Sequence, residues 1–464
     1  MISIVQSLIS HWAHKRSLLG YPSMTNAVSQ IRRSVMTLAF PITVSSFLQR
    51  AEGIVAVFLV GGLGATSIAA VGLGQLLIFI ATTVVSGLSV GSNVIVAQLW
   101  GARRRQDAGE AARHFLWLSI GISLVLASLG IMANRVLMEQ LGAEPDVIAL
   151  ALPYSTFIFY VIPCTVLIQV LSSVLQGTGD TRTPMYAMIG VNLLHVALAY
   201  PLIYGRWGFP ALGLMGAGIA VGLAEMTGAL YLLIRCRPIL KPSLRFRIDL
   251  IRSMWQVGAS VSGERIVQQA GVFVYTKLVL LYGTVAYAAH QVGLSIESFS
   301  FLPGYGLAIA AATMVGQSIG AGKYAKAKLA NWEANRIAIA LMACMGLIFY
   351  VFPEALLRTF TTDEAVVELG SLFLKIVALL QVPLAITMVL AGSLRGAGDT
   401  RFIMGATVIG MWGIRIPLAL VAALWVGQSV LFIWAATIAD WTARMALLLW
   451  RYRSERWRQI QVIH

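Results

Sequence analysis

The chain has 464 residues, of which 58% are apolar and 11% charged, with a mean hydropathy of +0.80 and a formal charge of +15. A soluble domain carries about 25% charged residues, so most of this surface faces something other than water. Apolar runs of about 20 residues or more recur, each able to cross a ~30 Å hydrocarbon core. The short alternating segments of a membrane β-barrel are absent. Three cysteines (Cys164, Cys236, Cys344) lack metal-ligand or paired spacing, so neither a zinc site nor a disulfide framework is expected.

In chain order, residues 1–32 form an N-terminal segment without the pattern of a cleavable leader. Ile2, Val5, Ile9 and Trp12 share a helical face there, as in a short helix lying on a membrane surface. Six spans follow in a first lobe (33–236), at about 33–61, 67–99, 112–133, 148–176, 184–205 and 211–234. A basic, proline-containing connection (237–251) leads to a second lobe (252–450), with spans at about 252–282, 286–318, 334–353, 366–394, 402–425 and 428–450. Residues 451–464 form a basic tail.

The Lys and Arg residues set the orientation. One set of loops holds Arg103, Arg104, Arg105, Arg113, Arg182, Arg235, Arg237, Lys241, Arg245, Arg247, Arg252, Lys323, Lys326, Lys328, Arg336, Arg395 and Arg401, together with the basic residues of both termini. The opposite loops hold only Arg135, Arg206 and Arg358. Both termini are therefore expected in the cytoplasm. The positive charge reads as a topology signal, with no nucleic-acid partner.

The chain repeats itself. Leu175-Gln176-Gly177-Thr178-Gly179-Asp180-Thr181-Arg182 returns 219 residues later as Leu394-Arg395-Gly396-Ala397-Gly398-Asp399-Thr400-Arg401. At the same offset Gln49 meets Gln268, Gly64 meets Gly283, Gln98 meets Gln317, and Gly101-Ala102 meets Gly320-Ala321. Each repeat opens on the same side of the membrane and contains an even number of spans. The expected fold is thus an all-α integral membrane protein of twelve transmembrane helices in two parallel six-helix lobes, with a pseudo-two-fold axis along the membrane normal.

The repeated loops read as structural hinges or latches. They lack the Gly-Lys-Ser/Thr ending of a phosphate-binding loop. Gly177 and Gly396 suit a left-handed helix stop. Asp180 and Asp399 are placed to bond nearby backbone or to pair with Arg182 and Arg401, and Thr183-Pro184 looks like a helix start.

Chemistry is expected inside the membrane, where an ionisable side chain is costly and faces a cavity or a partner. Glu264 heads the candidates. Ser260, Glu264, Gln268, Gly271 and Tyr275 form one stripe on the seventh span, and the structural alternative pairs Glu264 with Arg265 or Lys277. On the first span Pro41, Ser45, Gln49, Glu52 and Ala56 share a face, with Arg50 near enough in sequence to neutralise Glu52. Glu297 lines a second-lobe cavity or caps an internal network. Asn192 and His195 form a small polar cluster. Glu225, Arg415 and Asp440 read as packing ion pairs or boundary residues. No Ser/His/Asp set, metal cluster or paired-acid motif occurs in the loops, so an enzyme is not expected.

Twelve spans in two lobes, with Gln-Gly-Thr-Gly-Asp-Thr-Arg and Arg-Gly-Ala-Gly-Asp-Thr-Arg after the fourth and tenth, resemble the MATE (multidrug and toxic compound extrusion) transporters. Val315-Gly316-Gln317-Ser318-Ile319-Gly320-Ala321-Gly322 is similar to that family as well, and Phe301-Leu302-Pro303-Gly304 and Arg415-Ile416-Pro417 point to its bacterial NorM-like branch. The resemblance implies a monomeric antiporter of the bacterial inner membrane. It would export small organic, cationic or amphipathic compounds in exchange for protons or sodium ions, without a cofactor. Glu264 falls where many members carry an acid. Members commonly carry a first-span aspartate where this chain has Val55-Ala56-Val57, and some carry a tenth-span aspartate where it has Leu384. Glu52, one turn before Ala56, is the expected substitute, so the cation-coupling candidates are Glu264, Glu52 and Glu297. Ser45, Gln49, Ser260, Gln268, Tyr275, Asn192 and His195 are the expected cavity residues. The alternatives are a flippase for lipid-linked precursors, which would favour a strongly cationic cavity, and an exporter of one endogenous metabolite.

Overall fold

The computed structural model describes residues 24–240, 248–426 and 429–460. The expected surface helix at residues 2–12 and part of the inter-lobe connection lie outside these residues. The first lobe contains α1 (Met24–Val60), α2 (Ala65–Gly101), α3 (Arg105–Gln140), α4 (Pro145–Thr178), α5 (Arg182–Tyr204) and α6 (Leu214–Cys236). The second contains α7 (Ile248–Leu280), α8 (Thr284–Gly320), α9 (Tyr324–Val351), α10 (Glu364–Gly396), α11 (Thr400–Leu424) and α12 (Val430–Arg453). A short helix, Pro353–Arg358, precedes α10.

Among the described residues ten helices are long and apolar enough to cross a membrane. Of the other two, α7 has 33 residues but carries Glu264, Arg265 and Lys277, and α2 has 37 residues. The helices outrun their expected spans because the basic loops are mostly short turns. Only Ala102, Arg103 and Arg104 separate α2 from α3, so much of the loop charge rides on helical ends.

Local chemistry sets several ends. Pro145 occupies the first turn of α4, where its missing N–H costs nothing. The Asp363 carboxylate accepts from the Ala365 amide at 3.0 Å and caps α10. In α11, π-helical turns span Ile409–Arg415 and Ala422–Val426. Such turns shift the helical face and often lie at functional sites; here Arg415 ends the first of them.

The repeated loops depart from their sequence reading at the glycines and at Asp399, while Asp180 bonds nearby backbone as expected. Gly179 and Gly398, at φ 97° and 91°, make the left-handed stops, whereas Gly177 and Gly396 remain helical and serve close packing. Asp180 starts α5, accepting from the Thr183 amide at 3.0 Å and its hydroxyl at 2.6 Å. Asp399 instead pairs with Arg451 at 2.6 Å, not with Arg401.

These loops mark the end at which the lobes meet. Gln98 on α2 donates to the Gly396 carbonyl at 2.9 Å, and Gln317 on α8 donates to the Gly177 carbonyl at 2.9 Å. The two bonds are the same contact made reciprocally, since both pairs of residues match at the repeat offset. A Cβ on Gly101 would strike the Gln317 carbonyl, and one on Gly320 would strike the Gln98 carbonyl. Glycine there lets the α2 and α8 backbones touch. Asn93 to Thr313 at 3.2 Å and the Arg32–Glu333 ion pair at 3.0 Å add to this seal. Apolar packing crosses the seam too: Val35, Ala39 and Ile42 of α1 join a core with Ala310 and Ala311 of α8 and Ala334 of α9.

Candidate functional site

Two partly open cavities, one mainly in each lobe, are built from equivalent positions. The first-lobe cavity, about 140 Å³, is lined by residues that include Gly53, Ala56, Gln75, Ile78, Tyr154, Ile158 and Val161. Adding the repeat offset gives Val272, Tyr275, Leu294, Glu297, Phe373, Val377 and Leu380, all of which line the second-lobe cavity of about 300 Å³. The last wall is supplied at i, i+4 spacing in both lobes, by Val221 and Glu225 of α6 and by Thr437 and Trp441 of α12.

The first-lobe cavity is acidic. Glu52 reaches it from α1 and Glu225 from α6, with Gln49 and Thr165 beside them. The two carboxylates line the same small cavity. Among the described residues neither has an ion-pair partner, and Glu52 Oε1 and Glu225 Oε2 are buried without a hydrogen bond. Burial of a charge without a partner is strongly unfavourable. The arrangement therefore needs a proton or another cation when the cavity is closed. Sequence reading had placed Glu225 with the packing residues, yet it shares this cavity with Glu52. Arg50 does not neutralise Glu52: residues i and i+2 on a helix do not face one another, and Arg50 lines the other cavity.

The second-lobe cavity is aromatic and basic. Tyr275, Phe301, Phe373, Trp434 and Trp441 supply rings, and Arg415, Arg50, His290 and Glu297 supply polarity. Behind it lies a buried charge network. Asp440, 0% exposed, binds Arg415 at 2.8 Å and also binds Arg444. Arg444 donates to the Gln268 side chain at 2.8 Å. Gly410 in the π-helical turn has no side chain because Asp440 and Arg444 occupy that space.

Glu264 lines neither cavity. Its carboxylate takes both bonds from one Arg395 nitrogen, at 2.6 and 2.8 Å, so the partner is neither Arg265 nor Lys277. At the repeat offset Glu264 replaces Ser45 and Arg395 replaces Gln176. Two departures from symmetry thus compensate each other as an ion pair. Reverting only one, by Glu264→Ser or Arg395→Gln, is expected to destabilise the second lobe by about 2–4 kcal/mol because an uncompensated charge stays partly buried. The double reversion should recover most of the loss, as read by thermal unfolding of the purified protein. A double variant no more stable than the worse single one would remove the pairing from the account.

The remaining expected cavity residues divide. Gln49 and Tyr275 line cavities; the Tyr275 hydroxyl also donates to the Ile433 carbonyl at 3.0 Å. Ser45 and Ser260 return their hydroxyls to the Pro41 and Gln256 carbonyls, both at 2.8 Å. Gln268 belongs to the charge network. Asn192 donates to the Met188 carbonyl at 3.0 Å, and His195 is fully buried with no partner on either ring nitrogen. These two do not form a pair, and neither lines a cavity.

Duplicated six-helix lobes, closed on each other at one end and each holding a polar cavity, are the build of a secondary transporter. The MatE family model matches residues 41–201 and 261–421, one segment in each repeat, and the chain belongs to that family. Its members are transporters, not enzymes. The chain is 29% identical over 446 residues to a probable multidrug resistance protein NorM of Thermotoga maritima, covering 94% of this chain and 95% of the relative. It is 27% identical over 443 residues to the multidrug resistance protein MdtK of Yersinia pseudotuberculosis, covering 92% and 96%. The crystal structure of the Vibrio cholerae MATE transporter VcmN in its bent form superposes with a TM-score of 0.86 at 20% identity, over 93% and 99% of the chains. The fold is therefore that of a multi-pass MATE transporter.

Proposed function

We propose that the protein is a cation-coupled antiporter that exports amphipathic organic compounds across a bacterial inner membrane, with Glu52 and Glu225 as the coupling pair. The observation that carries this reading is that two half-buried carboxylates without ion-pair partners among the described residues line one first-lobe cavity, each with one buried oxygen that lacks a hydrogen bond. A proton is the simplest ion for the site. Hard metal cations take about six or more oxygen ligands, and Ile78, Ile158, Val161 and Val221 occupy much of this wall. Glu52 stands in the same cavity as Ala56, which supports its role as substitute for the first-span aspartate of relatives. Glu264, held by Arg395, and Glu297, set beside Arg415, are assigned to structure and to the second-lobe cavity.

The sealed end, rich in Lys and Arg, is assigned to the cytoplasm, so this conformation is closed inward. In the opposite state the reciprocal glutamine bonds break and the lobes part there. One charge crossing ~100 mV releases ~2.3 kcal/mol, enough for roughly a fifty-fold gradient of a neutral compound at ~1.4 kcal/mol per tenfold.

Proteoliposomes loaded with ethidium and given proton and sodium gradients separately test the reading. An imposed proton gradient should drive ethidium movement, and a sodium gradient alone should not. Movement that ignores both gradients would overturn coupling, and movement driven by sodium alone would reassign the ion.

A further inference from the structure

The two cavities occupy equivalent positions but have diverged in charge. The first is lined by two glutamates and no basic residue, the second by two arginines and one glutamate. We propose that the second-lobe cavity is a binding site for planar aromatic anions, of which aromatic carboxylates are the simplest class. The proposal rests on the exporter reading for the fate of the bound compound but not for the binding itself.

The orphaned buried groups of this cavity are donors. Arg415 is 7% exposed and its Nη2 lacks a partner, and Trp434 is 0% exposed with an unpartnered indole N–H. His290 Nδ1, also unpartnered, takes either role. A buried donor without an acceptor is costly, and a carboxylate is the acceptor-only group that satisfies guanidinium and indole N–H together.

The charge balance agrees. Asp440 is occupied by Arg415 and Arg444, and Glu297 offsets the second of these positive charges. Arg50, exposed and without an ion-pair partner among the described residues, remains as the uncompensated charge at the cavity wall. An organic cation would meet Arg50 and Arg415 and leave both orphaned donors unmet.

The walls select a ring system. Phe373 and Trp434 pack edge-to-face with centroids 4.9 Å apart, and Arg415 lies 5.5 Å from the Tyr275 centroid and 5.9 Å from that of Trp441. Aromatic walls favour offset or edge contacts with a planar guest. A cavity of about 300 Å³ admits a fused two-ring acid.

The test uses the full chain in nanodiscs of zwitterionic phosphatidylcholine, titrated with 2-naphthoate, 2-naphthamide and 2-naphthylmethylammonium. Naphthoate is expected to bind at least ~10-fold tighter than the other two. Arg50→Gln should weaken naphthoate ~10-fold and leave the amide unchanged, since only the charge contact is lost. Glu297→Gln should strengthen naphthoate several-fold. Arg50 is exposed and has no ion-pair partner among the described residues, so Arg50→Gln keeps the fold; Glu297→Gln removes a charge set against Arg415 and is compared with the parent by thermal unfolding alongside the titration. Equal binding of the three probes, no effect of Arg50→Gln, or a preference for the ammonium that Glu297→Gln removes would each overturn the proposal. Naphthoate that binds as expected but is not moved by any ion gradient would support the site and count against the exporter reading. Gradient-driven ethidium movement with no naphthoate binding would overturn the site alone.

Discussion

In vesicles, the Glu52→Gln/Glu225→Gln double variant is expected to reduce the steady-state accumulation of a neutral substrate from the roughly fifty-fold that one charge across ~100 mV supports to about unity. The physical reason is the shared cavity. Two carboxylates facing one small space can be closed off from water only when something positive answers their charge. A proton or ion entering from the outward side is therefore bound into the step that closes the cavity. Two glutamines fill the same space with neutral, hydrogen-bonding groups and remove that requirement, which either carboxylate alone would keep. The lobes can then exchange substrate without carrying an ion, so substrate–substrate counterflow should continue at near wild-type rates. Loss of both accumulation and counterflow would mean that these glutamates hold the fold or the substrate and do not couple.

The largest effect on stability is expected at Asp440, which touches no cavity. It is the one carboxylate answering both Arg415 and Arg444 at 0% exposure. Asp440→Ala leaves two buried guanidinium groups uncompensated, and breaking a buried pair from one side costs about 3–5 kcal/mol. The second lobe should unfold first, and tryptophan emission should report it early because Trp434 and Trp441 adjoin the network. By contrast Arg358→Ala, at an exposed pair with Glu364, should leave unfolding unchanged, since exposed pairs contribute little. An Asp440→Ala variant as stable as the parent would show that the network is not where the second lobe is held.

Much of this architecture is readable from one chain because it is written twice. The offset that aligns Gln98 with Gln317 and Gly177 with Gly396 also supplies both halves of the reciprocal contact at the seal. What the repeat does not show is which face of a helix meets which neighbour. Glu225 looks in sequence like any lone acid in an apolar run. Only the packing of α6 near α1 brings it to Glu52. Arg50 and Glu52 lie two residues apart in sequence yet line different cavities, a separation that helical periodicity alone implies. The pairing of Glu264 with Arg395 was also within reach of the repeat, since each replaces an uncharged residue of the first lobe. Arg415, read as a packing ion-pair residue, does bind Asp440, but its place at a cavity wall is not legible, because the π-helical turn that ends at it shifts the face of α11 relative to a regular helix.

The Glu264–Arg395 pair also cautions against transferring a role by position. An acid on the seventh span is a coupling candidate by resemblance, but in this chain it is held by an arginine of the repeated loop. The duplicated cavities show the same divergence more broadly. One has acids and a small volume, the other has rings, arginines and a larger one.

The central claim, that Glu52 and Glu225 together carry the coupling ion, is tested most directly by counting protons released when substrate binds. Purified protein in weakly buffered solution, mixed with saturating ethidium, should release about one proton per molecule, and the Glu52→Gln/Glu225→Gln double variant should release none while still binding ethidium. Equal proton release from the parent and the double variant would contradict the account.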